Sequence, residues 1–327
     1  MDTLELQLGS DPEFFLRDPE NFLVSSGHVL GGKLDNYFAP YTDGFQGEFT
    51  VPPASTIREA VNNIRMAMLA IRDTCTVSGL DAFVAPAVSL TDKELSAVMS
   101  NAFEFGCQPS INAYTSQTRD SKLICNLHDK QKNIMMAGGH IHIGFPKKQE
   151  AIRKYRAPLE LSFVDTIRIF EALGVTLLTA YEASYPKEHA RVFQKRRLFY
   201  GLAGEYRSKP HGLEIRSPSA MWLADPILTE MIYSTAVISY YSVLFGYHRD
   251  MVGLRDIKDI AKAINNSSLS DCIKIAMATA GALKSRFGNT INGYDNIFDI
   301  FYKTEDLINK RNMQLFPSIV NTWQHVA

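Results

Sequence analysis

Hydrophobic positions along this chain switch between two periods, and the switches mark out its elements. Apolar and polar residues alternate through Gly138–Gly144, where Ile141 and Ile143 stand next to His140 and His142. That alternation predicts a strand with both imidazoles on one side and both isoleucines against a core. The same period of two sets Asp11 beside Glu13, Glu205 beside Arg207 and Glu214 beside Arg216. Leu4–Leu16 predicts a strand with a polar interruption at Gly9–Pro12, and Asp43–Val51 a second strand, ended by Pro52–Pro53. Helical spacing then takes over: Thr56-x-x-Glu59 is a capping box, followed by Ile57, Ala60, Val61, Ile64, Met68 and Ile71 at three and four. Gln149–Tyr181 carries the same period, whereas Phe83–Asn133 gives only short mixed signals. Glu205–Ser217 reads as two strand pieces around a turn at Lys209–Gly212. From Asp225 onward the pattern is mainly helical, with breaks near Gly253, Asn265–Ser268 and Asn289–Gly293.

Mixed strands and helices followed by a run of helices point to an α+β fold rather than a doubly wound sheet. No Gly/Ser/Pro-rich linker divides the chain, so residues 1–327 read as one domain. Its chemical motifs fall in 9–225 and its helical part in 226–327. The most apolar long stretch, Met231–Tyr247, is interrupted by Ser234, Thr235, Ser239 and Ser242, which suits a buried helix better than a membrane span.

A formal net charge of −1 over 327 residues gives no general pull toward nucleic acid or a membrane, so any basic function is local. Cys75, Cys107, Cys125 and Cys272 lack CxxC spacing and read as thiols of a reducing compartment. The acidic amino terminus has no signal-peptide pattern, and a cytoplasmic location is expected. Neither GxGxxG nor GxxxxGK[ST] is present, which argues against Rossmann and P-loop nucleotide sites.

Glu13 opens a buried run, Phe14–Leu16, and needs a counter-charge such as a divalent cation. Asp11 fits a plain turn at least as well as a site. Glu48 is a single carboxylate in an apolar strand context, a common feature of solvated edges. The two Glu–Arg pairs share one face if the strands form a hairpin, and arginine suits bidentate phosphate contact. Lys195-Arg196-Arg197 reads as a solvated helix end or as a contact with nucleotide or an acidic substrate. His211 lies in the turn between the Glu–Arg strands. Carboxylates, imidazoles and guanidiniums together suit a nucleotide–metal site better than a closed zinc site.

Glu13-Phe-Phe, Gln46-Gly-Glu48-Phe, Gly139-His-Ile-His-Ile-Gly144, Glu205-Tyr-Arg207 and Glu214-Ile-Arg216-Ser-Pro-Ser occur in that order. Between about residues 9 and 250 the chain resembles the phage-type carboxylate–amine ligases (amidoligases of type 2) within the glutamine synthetase and glutamate–cysteine ligase superfamily. The resemblance implies a glutamine synthetase-like domain, a curved antiparallel sheet with helices on its outer face. It implies ATP with Mg²⁺ or Mn²⁺, the metals held by Glu13, Glu48, His140 and Glu214. His142 and Arg207 would contact ATP phosphates, and Arg216 would sit beside the transferring phosphoryl group; apart from the resemblance, Arg197 of the basic cluster is a candidate nucleotide contact. Glu205 has no fixed family role and is a candidate proton acceptor or metal ligand. Asp11 stands where the family strand carries Glu. No β-grasp domain precedes the motifs, so inter-subunit sites of that kind are not implied.

The function expected is ATP-dependent joining of an amino acid, peptide or protein carboxylate to an amine through an acyl phosphate, in the cytoplasm (the host's, for a phage protein). The rivals are a non-catalytic phage binding protein on a ligase fold and a metal-dependent hydrolase using His140 and His142. Which carboxylate and amine are joined, and whether the chain forms a homo-oligomer, stay open at this stage.

Overall fold

A computed structural model describes residues 6–33, 36–97, 110–119, 133–145, 159–199, 201–248, 257–287, 296–310 and 318–323. Its centre is a sheet ordered β3-β4-β1-β9-β11-β10-β7, with β2 and β5 also paired to β1. These strands are β1 (Gln7–Arg17), β2 (Leu23–Val24), β3 (Tyr41–Asp43), β4 (Gln46–Glu48), β5 (Asp81–Phe83), β7 (Ile111–Asn112), β9 (Gly139–Gly144), β10 (Glu205–Lys209) and β11 (Gly212–Ile215). Every pairing within it is antiparallel. A separate small sheet pairs β6 (Ala87–Ser89) with β8 (Ile134–Met136). The α+β expectation thus takes the form of a large antiparallel sheet with helices.

The interruption expected at Gly9–Pro12 is absent, because β1 runs unbroken for 11 residues. Its polar residues do not break the strand: Asp11 and Glu13 occupy the face opposite the core, as the period of two allows, while Ser10 turns inward. The expected strand over Asp43–Val51 is instead the second half of a hairpin. Gly44 adopts φ 65, a left-handed conformation that turns the chain between Asp43 and Gln46.

Leu8, Phe14, Ile141, Ile143, Leu213 and Ile215 are almost fully buried. Behind them lie α1 (Ile57–Ser78) and, further along, a helix at Pro226–Leu244. Tyr233 of that helix shares a 2.8 Å hydrogen bond with Ser10 of β1, and its Tyr240 ring lies 5.2 Å from Phe145. Asp225 caps it by accepting from the Ile227 amide at 2.7 Å, and Pro226 occupies the first turn. This helix alone among the described residues is long and apolar enough to cross a membrane, yet 72% of its apolar window is buried inside the fold. The hydroxyls of Thr235, Ser239 and Ser242 donate to carbonyls one turn back, so they enter the core satisfied.

The capping box also forms: Thr56 accepts from the Glu59 amide at 3.1 Å, while Glu59 reaches back to the Ser55 amide. The helical run after the histidine strand spans α2 (Leu159–Phe170), a π turn at Glu171–Val175 and α3 (Thr176–Ala183), while 149–158 lie outside the described residues. A break at Asn265–Ser268 separates helices at Ile257–Asn265 and Leu269–Phe287; the breaks near Gly253 and Asn289–Gly293 also lie outside them. Cys75 and Cys272 are buried free thiols, and Cys107 and Cys125 are not described.

Candidate active site

Residues paired directly across an antiparallel ladder project to the same face. Glu13 pairs with Glu48, and Glu48 with Tyr41. Asp11 pairs with His140, His142 with both Gly9 and Glu214, and Glu214 with Arg207. The register therefore gathers Tyr41, Glu48, Glu13, Asp11, His140, His142, Glu214 and Arg207 on the face opposite the core. Asp11 is no turn residue; it sits mid-strand on this face.

One end of the face is acidic. Carboxylate oxygens of Glu13, Asp43 and Glu48 all lie within 4.8 Å of one another. Glu13 is buried and accepts from the Gly138 amide at 2.6 Å and from Gln46 Nε2 at 3.4 Å. Glu48 accepts from the Tyr41 hydroxyl. Burial, then the negative charges of Asp11 and Glu13, push the Glu48 carboxyl up to about 9 against the opposing pull of Tyr41. Three clustered carboxylates suit a hard divalent cation, which takes oxygen ligands of this kind. Glu13 and Glu48 were expected here and Asp43 was not. The expected single strand hid it, because only the turn at Gly44 places Asp43 across from Gln46, on the strand that pairs with β4.

Asp11 and the histidines form the middle. Asp11 Oδ1 lies 3.1 Å from His142 Nε2 and 3.4 Å from His140 Nδ1. Burial alone would raise the Asp11 carboxyl, but the His142 charge and bonds to both imidazoles hold it well below the usual carboxylate range. Burial would likewise lower His142, yet Asp11 outweighs it and raises this imidazole. His142 Nδ1 lies 3.2 Å from His211 Nε2 at the hairpin tip, and the two rings stack. Burial and the charges of His142 and Lys209 lower His211.

The other end is basic. Glu214 faces Lys209 Nζ at 2.6 Å, Arg207 Nη1 and Arg216 Nε at 3.5 Å each, and His140 Nδ1 at 3.9 Å. Burial works to raise Glu214, but His140 and Lys209 outweigh it and the carboxyl is lowered. The structure thus brings Glu214 to the cations rather than to the Glu13–Asp43–Glu48 cluster. Lys209 was also missed, although it continues the period of two through Glu205, Arg207 and Lys209.

Two expected site residues are occupied inside the fold. Both Glu205 oxygens are engaged at short range, one by Arg119 Nη1 at 2.7 Å and one by the Gly201 amide at 2.6 Å. A carboxylate so held, 2% exposed, is poorly suited to collecting a substrate proton. Arg197 donates to the Gly201 carbonyl at 2.6 Å and to Thr179 Oγ1 at 2.9 Å, with Glu182 at 3.7 Å. It is 7% exposed and supports the loop instead of presenting its guanidinium to a nucleotide. Arg196 is likewise buried, so this part of the basic cluster is no solvated helix end. The glycines beside the histidines do permit a close approach, but of protein: a Cβ at Gly139 would lie 2.3 Å from Trp222 Nε1 and 2.4 Å from the Ser219 carbonyl.

Residues 180–248 match the family model described as Phage phiEco32-like COOH.NH2 ligase-type 2. The matched segment holds Glu205, Arg207, Lys209, Glu214 and Arg216, and none of the acidic end. Among solved structures, the chain is similar to a bifunctional glutathione synthetase from Pasteurella multocida at TM-score 0.36 and 10% identity, covering 91% of this chain and 52% of that one. The chain thus spans about half the length of that structure, a likeness too distant to bear on fold or function. No curated protein matches the chain.

Proposed function

We propose that this chain is an ATP- and divalent-cation-dependent carboxylate–amine ligase with a glutamine synthetase-like catalytic domain. The observation that carries the reading is the ordering of charge on one sheet face, three carboxylates at one end and three cations around Glu214 at the other. The family match over 180–248 supports it from the basic end.

Glu13, Asp43 and Glu48 would hold Mg²⁺ or Mn²⁺, with His140 a further candidate ligand. When bound, such an ion supplies positive charge against phosphate oxygens. Arg207, Lys209 and Arg216 would bind and orient the ATP phosphates, with His142 a further contact. An oxygen of the substrate carboxylate then attacks the γ-phosphorus, ADP leaves, and the product is an acyl phosphate. The amine attacks its carbonyl carbon and loses a proton, and phosphate leaves as the amide forms. The guanidiniums serve both steps by neutralising converging anions in a site already built for them. The substrates are amino acid, peptide or protein carboxylates and amines rather than nucleic acid, and the setting is the cytoplasm.

The test is ATP turnover with Mg²⁺ across a panel of carboxylates and amines. ADP and phosphate release that requires both partners is the expected result. Hydrolysis of a substrate without nucleotide, or absence of ATP binding by calorimetry, would overturn the reading.

A further inference from the structure

Arg216 is followed by a backbone segment that one buried side chain grips. The Arg196 guanidinium, 2% exposed, donates from Nη2 to the Arg216 carbonyl at 3.3 Å and the Pro218 carbonyl at 2.7 Å. Its Nη1 donates to the Ser217 carbonyl at 3.0 Å. Three consecutive carbonyls thus converge on one planar cation, a bond pattern that lysine cannot reproduce. Gly201 closes the other side. It has φ +78, and a Cβ there would stand 2.0 Å from Arg196 Nη1. The Gly201 amide and carbonyl are themselves tied to Glu205 and Arg197. From the opposite edge, the Gly139 amide donates to the Pro218 carbonyl at 3.1 Å, and Ser219 Oγ bonds Glu182.

We propose that Arg196 is a positioning residue for Arg216. It fixes the 216–218 backbone so that the Arg216 guanidinium is held on the polar face beside Glu214. The inference deepens the ligase reading, since it assigns Arg196 a part in phosphoryl transfer without contact with substrate. The burial cost of this guanidinium is offset by carbonyls of the segment that carries Arg216. The precision of that grip is the property that catalysis would use.

Arg196→Lys and Gly201→Ala test this, with exposed Gln194→Ala on the same helix as control. Two readouts are taken on folded protein of matched urea midpoint. The first is the Nε–H resonance of Arg216, assigned with Arg216→Lys; it is expected to shift and exchange faster with solvent in both variants and not in the control. The second is ATP turnover, where kcat is expected to fall on the order of tenfold to a hundredfold with KM for ATP little changed. An unchanged Arg216 resonance in the folded variants, or wild-type kcat, would overturn the inference. Wild-type protein without amine-dependent turnover would instead sink the ligase reading, and the resonance would still decide the positioning role. Should Arg196→Lys fail to fold, Gly201→Ala decides alone, because it displaces the guanidinium without removing it.

Discussion

At the acidic end, Glu13, Asp43 and Glu48 crowd together and the Glu48 carboxyl is pushed up to about 9, whereas at the basic end Glu214 sits among three cations and its carboxyl is lowered. Like charges facing each other suit a cation; a carboxylate outnumbered by cations suits an anion beside it. The two ends also differ in support. The acidic one rests on a short hairpin and apolar packing, with Gly47 lying flat on Phe14 and Leu30. The basic one is backed by buried charge: Arg196, Arg197, Glu171 and Glu182 hold the loops that carry Glu205 and Arg216. Between them, Asp11 and the two imidazoles form a partly buried strip of mixed polarity.

The sharpest break in this comparison is Arg216→Ala. Removing one preorganised donor is expected to cost about 3–4 kcal/mol of barrier, a drop in kcat of two to three orders of magnitude. Divalent-ion binding at the acidic end should survive, as titration calorimetry without nucleotide would show. Equal loss of ion binding would mean that the ends are not separate.

Next in size is a pH effect confined to the acidic end. Without divalent ions, Glu48 titrates at about 9 in the folded chain against an ordinary 4.5. The folded state then keeps a proton that the unfolded state releases. Stability from this group is fully present below the ordinary value and is lost as pH rises to the folded one. The slope from one proton is at most about 1.4 kcal/mol per pH unit. Glu48→Gln should flatten that slope in chelator, and Mg²⁺ should do the same for wild type by replacing the proton. Urea midpoints across the window measure both, and a slope unchanged by Glu48→Gln would sink the assignment.

How much of this could be read beforehand differs between the ends in the same way. The basic hairpin was legible because its strands keep strict alternation, so Glu205, Arg207, Glu214 and Arg216 declare their face by spacing alone. The turn at Lys209–Gly212 did the rest. At the acidic end Asp43 was hidden by a positive-φ glycine that makes one apparent strand into two, and no local pattern announces which glycine turns. Asp11 was mistaken for a turn because Gly9-Ser-Asp-Pro12 has turn composition; its pairing with β9, 129 residues later in the register Asp11–His140, overrides local preference. Arg196 and Arg197 misled for a different reason. Charge in sequence suggests solvent, and only tertiary structure shows carbonyls waiting for a buried guanidinium.

The seam between the ends gives a smaller effect. The Gly138 amide serves Glu13, and the next residue's amide serves Pro218, beside Arg216. In Gly139→Ala the new methyl would meet the Trp222 indole and the Ser219 carbonyl, an overpacking expected to cost about 1–3 kcal/mol of stability. Both ion binding and turnover should weaken together, unlike the one-sided loss in Arg216→Ala. Thermal unfolding with the two functional assays would show it, and loss at one end only would deny the seam its linking role.

The smallest expected effect lies at Tyr41, the neutral partner among the acidic groups. Its hydroxyl donates to Glu48 and favours the ionised carboxylate that an ion needs. Tyr41→Phe removes one donor, worth about 1 kcal/mol or roughly fivefold in divalent-ion affinity near neutral pH. The loss should shrink above the Glu48 titration, where the carboxylate is ionised without help. Binding of pyrophosphate in chelator, which reads the basic end alone, should not change. A fall in pyrophosphate binding as large as the fall in ion binding would show that the charge of one end reaches the other through Asp11 and the imidazoles.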